Sequence, residues 1–548
     1  MTIIVVMIQR YQEGLTMVAK VILVKAMMLL RTLQLRHGQL ALILHFNQKN
    51  DIKMKNLKYL IIIFLFAGLS SCEDIITEKP LDFLAPGVYP SSESDAISAL
   101  TAAYANLHRR WSNWHHATTG TDMAVHGTHN RGRQGVWYTN LTPTDAWASS
   151  MYIDNYQGIA AANLVISEVP SIDMDPELRD RIVAEAKFLR AFYYFELKNF
   201  YGGVVIIDSP VTGEIAGGVT RSTVDEVNEF IEQDLIDAIP ALPESYSAND
   251  LGRATKWAAT ALLGKVHLYQ KEWSEAISRF DEVINSGAYG LVADYNALFP
   301  QANEYLKLPG VNGDLVTEVI FDIQFQLDIR TTGMQSATGS RDSNIFNAQD
   351  GIGGGFENSL PTQTFKSNFE NGDKRLAISY VEVLPPDAEG ETEDNILVSP
   401  ISTGYGPISG KYINADGDRV SSNELLLRYA DVLLMRAEAE NELNGPINAY
   451  QYINQVRQRA GVPDLTGLSK EDFTIALRKE RLTELSFEGH RKHDLIRWGI
   501  FLETVRNSTD RLLRDFVGRN IKDHNVLLPI PATEIEISNN TIKQNPKY

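Results

Sequence analysis

Two short patterns in this chain constrain its fold more than any other feature. Gly264 is followed twelve residues later by Ala276 and four after that by Phe280, and Ala437, Ala449 and Ile453 repeat those offsets. Small, small and large side chains at this spacing are what the two helices of a tetratricopeptide hairpin need to interlock. A close helix approach requires a missing side chain opposite a bulky one. Hairpins of this kind stack into a curved scaffold, and such scaffolds more often bind than catalyse.

Helical periodicity agrees with the repeat. It dominates residues 93–290 and returns over 423–505. In 180–201, Ile182, Ala186, Leu189, Tyr193 and Leu197 line one helix face, with Asp180, Lys187 and Lys198 assigned to the solvated side. Asp225 to Ile239 and Ala254 to Tyr269 are read the same way, with Pro243 and Gly252 breaking the chain between them. From 295 to 422 the character changes to glycine clusters (Gly351, Gly353, Gly354, Gly355), prolines and short β-prone runs such as Val316 to Ile323. That composition predicts loops with a few strands, and long loops inside a helical protein tend to be functional. No Lys-Ser/Thr follows the glycines, so they are not a phosphate loop.

The 548-residue chain is long enough for two or three packed sub-regions. Residues 1–71 hold nine basic and two acidic residues, leaving 42 basic and 67 acidic in the remainder, a net of −25. An acidic body repels phosphate backbones, which argues against nucleic-acid binding. The one cysteine, Cys72, excludes an internal disulfide. Before it, Lys55 and Lys58 form a positive start, Tyr59 to Leu69 is an apolar run short for a bilayer span, and Leu69-Ser70-Ser71-Cys72 looks like a bacterial lipobox. The reading is a signal peptide at 54–71, Met54 as initiator, residues 1–53 as an upstream extension, and Cys72 as a lipidated amino terminus. Glu73 and Asp74 resemble an acidic surface-export tag.

Several constellations invite a catalytic reading. Glu480, Glu484 and Glu488 form a stripe on a helix, as a paired-carboxylate hydrolase would need. Ion pairs locking the helix to its neighbours, with Arg478 and Arg481 as partners, are the preferred account. His115, His116, His126 and His129 lack an evident metal geometry and are taken as solvated loop histidines. Asn414, Asp416 and Asp418 mimic a calcium loop, but Arg419 stands where glycine is required, so they are read as a polar turn. No metal or cofactor is expected.

The aromatic segment 111–152 is the candidate binding region. Trp111, Trp114, Trp137, Tyr138, Trp147 and Tyr152 are interspersed there with Asn113, Asp122, Arg131 and Arg133. Flat aromatic faces meet the C–H faces of pyranose rings, while amides, carboxylates and guanidinium groups bond the hydroxyls, and each platform contributes about 1 kcal/mol beyond area burial. Trp147 and Tyr152 are assigned to helix packing. Trp111, Asn113, Trp114, Asp122, Arg133, Trp137 and Tyr138 are the expected ligand contacts.

Ordered motifs along the mature chain resemble the SusD/RagB family of outer-membrane nutrient-binding lipoproteins. They include Ala102-Ala103-Tyr104, Tyr156-Gln-Gly-Ile159, Glu185-Ala-Lys-Phe-Leu-Arg-Ala191, Tyr201-Gly-Gly203, Gly252-Arg-Ala-Thr255, Leu427-Arg-Tyr-Ala430, Asn454-Gln-Val-Arg-Gln-Arg-Ala-Gly461, Glu480-Arg-Leu-Thr-Glu-Leu-Ser-Phe-Glu-Gly489, Leu528-Pro-Ile-Pro531 and Gln544-Asn-Pro-Lys-Tyr548. The resemblance implies a mainly α fold with about four tetratricopeptide-like helix pairs, carrying a loop-rich ligand region with a few short strands. On this reading 73–290 is an N-terminal helical region, 291–422 a loop-rich insertion and 423–548 a C-terminal helical region. It further implies a surface-exposed outer-membrane lipoprotein that lids a SusC-like TonB-dependent transporter and binds oligosaccharides. Asp122 occupies a place similar to a common family acidic contact, and a second ligand loop falls at roughly 325–360. A peptide-binding member of the family is the alternative reading, and a glycoside hydrolase the third.

Overall fold

The computed structural model describes residues 89–126, 141–211, 219–247, 250–299, 308–325, 359–381, 407–412 and 423–548, all within one compact unit spanning Leu84–Tyr548. Cys72, Arg133, Trp137, Tyr138, His129, the glycine cluster and Asn414 to Asp418 lie outside the described residues.

Helices dominate, each started by a local capping signal. Ser92 and Asp95 form a reciprocal capping box at α1 (Glu93–Ala105). A short helix α2 (Trp111–Thr118) follows, and then α3 (Ala146–Glu168), capped by Asp145. Asp175 caps α4 (Pro176–Tyr201), with proline at its first position. Thr223 and Glu226 box the start of α5 (Val224–Ala238), and Thr255 caps α6 (Lys256–Gln270). Helix α7 (Trp273–Asn285) completes a run in which α3 packs on α4, α4 on α5, α5 on α6 and α6 on α7. The next helix to pack on α7 is α8 (Tyr429–Asn444), followed by α9 (Tyr450–Ala460) and α10 (Lys470–Glu484). Residues 286–428 therefore enter between two successive helices of the stack. Shorter helices α11 (Arg491–Arg497), α12 (Phe501–Arg506) and α13 (Ala532–Ile537) close the chain.

The interlock expected from spacing is present. A Cβ built on Gly264 in α6 would lie 2.6 Å from the ring of Phe280 in α7, and Ala276 and Phe280 are buried. Ala437, Ala449 and Ile453 are likewise fully buried between α8 and α9. The Tyr201-Gly-Gly203 motif ends α4. Gly202 takes φ 75°, and a Cβ on Gly203 would sit 2.2 Å from the Ser222 carbonyl oxygen. Ile182, Ala186, Leu189, Tyr193 and Leu197 are all buried as expected. Lys198, assigned to solvent, is buried instead, with its ammonium 4.8 Å from the Phe195 ring centroid and 5.5 Å from that of Tyr269. A helix packed on both sides by α3 and α5 leaves little solvated face.

The strands are short and pair antiparallel. β1 (Ala124–Val125) pairs with β5 (Leu360–Pro361), β2 (Leu308–Pro309) with β3 (Leu315–Val316), and β4 (Val319–Ile323) with β6 (Glu424–Arg428). β4 and β6 are buried along their whole length. Among the described residues no helix is long and apolar enough to cross a membrane.

Candidate functional site

The pairing of β1 with β5 organises the candidate site. In its register Val125 faces Leu360 and Ala124 faces Pro361. Segment 127–140, which holds three of the expected contacts, begins two residues after Val125. Segment 326–358, which holds most of the second expected loop, ends two residues before Leu360. The Thr119 and Ser359 hydroxyls are hydrogen-bonded, Thr362 N donates to the Met123 carbonyl at 2.9 Å, and the Thr362 hydroxyl donates to the Asp122 carbonyl. At the other end of 326–358, Phe325 N donates to Asn423 Oδ1 at 2.8 Å. The described residues just before segment 127–140 and just after segment 326–358 are thus fixed neighbours.

In α2 and the turn after it, three of the expected contacts require correction. The Trp114 indole is fully buried, donates its N–H to the Phe487 carbonyl at 2.8 Å and meets Tyr412 edge-on at 5.9 Å. It is not a solvent-facing sugar platform, because the helix register turns it toward the α10–α11 connection. Asn113 is buried and donates to Glu196 Oε2 at 2.9 Å, which also accepts from Arg110. Asp122 is held by Arg491 in a bidentate pair at 2.6 and 2.8 Å, so both of its oxygens are already engaged. Trp111 begins α2. Trp147 packs, partly buried, against the apolar cluster that contains Val505 and Leu513, and Tyr152 is buried in α3, both as expected.

The electrostatics around α2 are those of a closed core. Burial raises the Glu196 carboxyl, but Arg110, His493 and Asn113 together more than reverse it. Glu424, bonded to Arg110 at 2.5 Å, is pushed up to about 7 by burial, with Glu196 adding to the rise against Arg110. His115, His116 and His126 are buried rather than solvated, with the rings of His115 and His126 4.7 Å apart. Burial first, then the positive Lys492, holds His116 well below the ordinary imidazole range. Elsewhere, Glu232, His267 and Glu272 bring ligand atoms within 4.8 Å of one another, and the 2.7 Å bond from His267 Nδ1 to Glu272 accounts for much of that approach.

The carboxylate stripe is scaffold, though not with the expected partners. Glu480 binds Arg375 at 2.5 Å and Arg457 at 2.8 Å; Glu484 binds Arg428 at 2.6 Å, Arg375 at 3.0 Å and also Arg459. Glu488 binds Arg428 at 2.7 Å and Lys411 at 2.8 Å. Arg481 turns away to Asp431 and Asp494, each at 2.8 Å. α10 ends at Glu484, so Glu488 lies beyond it, after Phe487 at φ 61°. Burial pushes Glu484 up, but Arg459, Arg428 and Arg375 carry it well below the ordinary carboxylate value. A general acid needs the opposite shift.

Sequence reasoning missed Arg375, Arg428, Arg457 and Arg459 as partners of this stripe. All four lie on other elements, and helix spacing carries no information about them.

This helical stack with paired loop roots defines a class of helical-repeat scaffold proteins, and comparison places the chain within it. A profile described as "SusD family" matches residues 391–548, and one described as "Starch-binding associating with outer membrane" matches residues 81–268. SusD-like protein P25 of Formosa agariphila is 29% identical over 534 residues, covering 88% of this chain and 97% of that protein. A SusD homolog of Bacteroides thetaiotaomicron superposes with a TM-score of 0.70 at 26% identity, covering 84% of this chain and 98% of the other. A laminarin-binding SusD-like protein gives a TM-score of 0.68 at 26% identity, covering 84% and 100%. The chain belongs to the SusD/RagB family.

Proposed function

We propose that this protein is a cell-surface glycan-binding lipoprotein, anchored in the outer membrane through Cys72, that captures oligosaccharides and delivers them to a SusC-like TonB-dependent transporter. The observation that supports the reading is the β1–β5 pairing, which sets Val125, shortly before segment 127–140 in the chain, opposite Leu360, shortly after segment 326–358. Arg133, Trp137 and Tyr138, with Trp111 at the start of α2, are the proposed contacts. A relative 26% identical over 84% of this chain is described as laminarin-binding, which favours a glycan ligand. Binding without turnover is favoured because the one conspicuous carboxylate stripe is locked to guanidinium groups.

A glycan array probed with the purified protein tests the reading. Binding to an oligosaccharide without release of new reducing ends is expected, and a Trp111→Ala, Trp137→Ala, Tyr138→Ala triple variant loses it. Selective capture of basic peptides with no glycan bound would replace this reading by the peptide one.

A further inference from the structure

Where α5 meets the turn between α6 and α7, Glu232 of α5, His267 in the last turn of α6 and Glu272 each bring one ligand atom to within 4.8 Å of the others. Backbone geometry sets the His267–Glu272 pair. Lys271 takes φ 65° where α6 ends, and Glu272 N then donates to the His267 carbonyl at 2.9 Å. This brings His267 Nδ1 to 2.7 Å from Glu272 Oε2. An ionised carboxylate only accepts, so in the neutral ring Nδ1 carries the proton.

Glu232 arrives from a different helix, and the His267–Glu272 bond does not explain its approach. Gln270 Nε2 donates to Glu232 Oε1, which orients the carboxylate, and Oε2 has no hydrogen-bond donor among the described residues. His267 is buried, Glu232 half-buried and Glu272 exposed, so the cluster is reachable from solvent at Glu272.

The donor set selects the ion. Calcium and magnesium are hard cations that prefer shells made of oxygen alone. One imidazole nitrogen with two carboxylate oxygens suits zinc, which takes three protein ligands and leaves a fourth position to water. Lys198 is a cation that acts on Glu232. Burial pushes its ammonium down to about 7 against the pull of Glu232, so above neutral pH it no longer opposes a dication.

We infer that Glu232, His267 and Glu272 form a zinc site, in which the ion replaces the proton between His267 Nδ1 and Glu272 and draws in Glu232, with water as the fourth ligand. Gln270 positions Glu232 without touching the metal. Glu272 is also the residue that precedes α7, so the bound ion clips α5 to the α6–α7 hairpin of the stack. The site is independent of the glycan reading.

The test is calorimetric titration of the purified full-length protein, free of any histidine tag, with zinc chloride, together with melting curves at several zinc concentrations. Saturable binding of one equivalent is expected, with release of protons and a melting temperature that rises with zinc. An excess of calcium or magnesium does not displace the ion. His267→Gln abolishes both the binding and the rise in melting temperature. Gln270→Ala, which removes only the group that orients Glu232, weakens binding about tenfold. Glu272→Gln changes an exposed side chain, weakens binding at least as much, and keeps the test decisive if the buried His267 variant does not fold. A parent protein without saturable zinc binding overturns the site. Zinc bound as tightly by Glu272→Gln as by the parent, or displaced by calcium, overturns it equally.

Discussion

The indole N–H of Trp114 donates to the backbone carbonyl of Phe487, 373 residues further along the chain, at 2.8 Å. The Tyr412 hydroxyl donates to the same oxygen at 2.6 Å. Phe487 sits at φ 61° in the turn between α10 and α11, so one buried ring from the aromatic segment clamps the turn of the Glu480 to Gly489 block.

Trp114→Ala is therefore a stability variant. It removes a fully buried ring and a hydrogen bond, and a loss of about 3–5 kcal/mol is expected in denaturant unfolding. Trp114→Phe retains much of the volume and is expected to lose less. An alanine variant as stable as the parent would contradict the clamp.

Gly264→Leu tests the helix interlock. Its added side chain would start 2.6 Å from the Phe280 ring, and overpacking of this kind costs about 1–3 kcal/mol. Combining it with Phe280→Ala should give a double variant more stable than the two single losses sum to, measured by a double-mutant cycle.

Arg428→Met tests the buried ion network. Arg428 bridges Glu318, Glu484 and Glu488, and its removal leaves carboxylates buried without their partner, a loss of about 3–5 kcal/mol. Oligosaccharide affinity per folded molecule should not change. Unaltered melting would show that the pairs are not coupled to the fold.

Acid should weaken the protein through its buried imidazoles. Burial, with Lys265 adding to it, lowers His490 to about 3, and burial lowers His493 to about 4 against the pull of Glu196, both from the ordinary 6.5. The unfolded chain takes up these protons near pH 6.5 and the folded one does not, so it binds more protons between 6.5 and 3 or 4. The stability from the neutral rings is fully present above 6.5 and is lost as pH falls through that window. His493→Gln should make the fall of melting temperature between pH 6.5 and 4 shallower; an identical slope would exclude His493 as a source.

The proposed lipid anchor has its own assay. Metabolic labelling with a fatty acid should tag the parent in the membrane fraction, and Cys72→Ala should abolish the tag.

The sequence by itself determined the helices, their caps and the way α6 meets α7. Those features depend on neighbours within a few turns, and Gly264, Ala276 and Phe280 state their packing through size and spacing alone. It also carried the family motifs. Only the tertiary structure decided what the polar and aromatic residues face. Trp114 and Asp122 read as ligand contacts because their types suit sugars, yet their partners, Phe487 and Arg491, lie more than three hundred residues away. Glu484 likewise finds Arg375 and Arg428 rather than Arg478 or Arg481. A helix period fixes which side a residue is on; whether that side meets water or a distant guanidinium is a property of the whole packed chain.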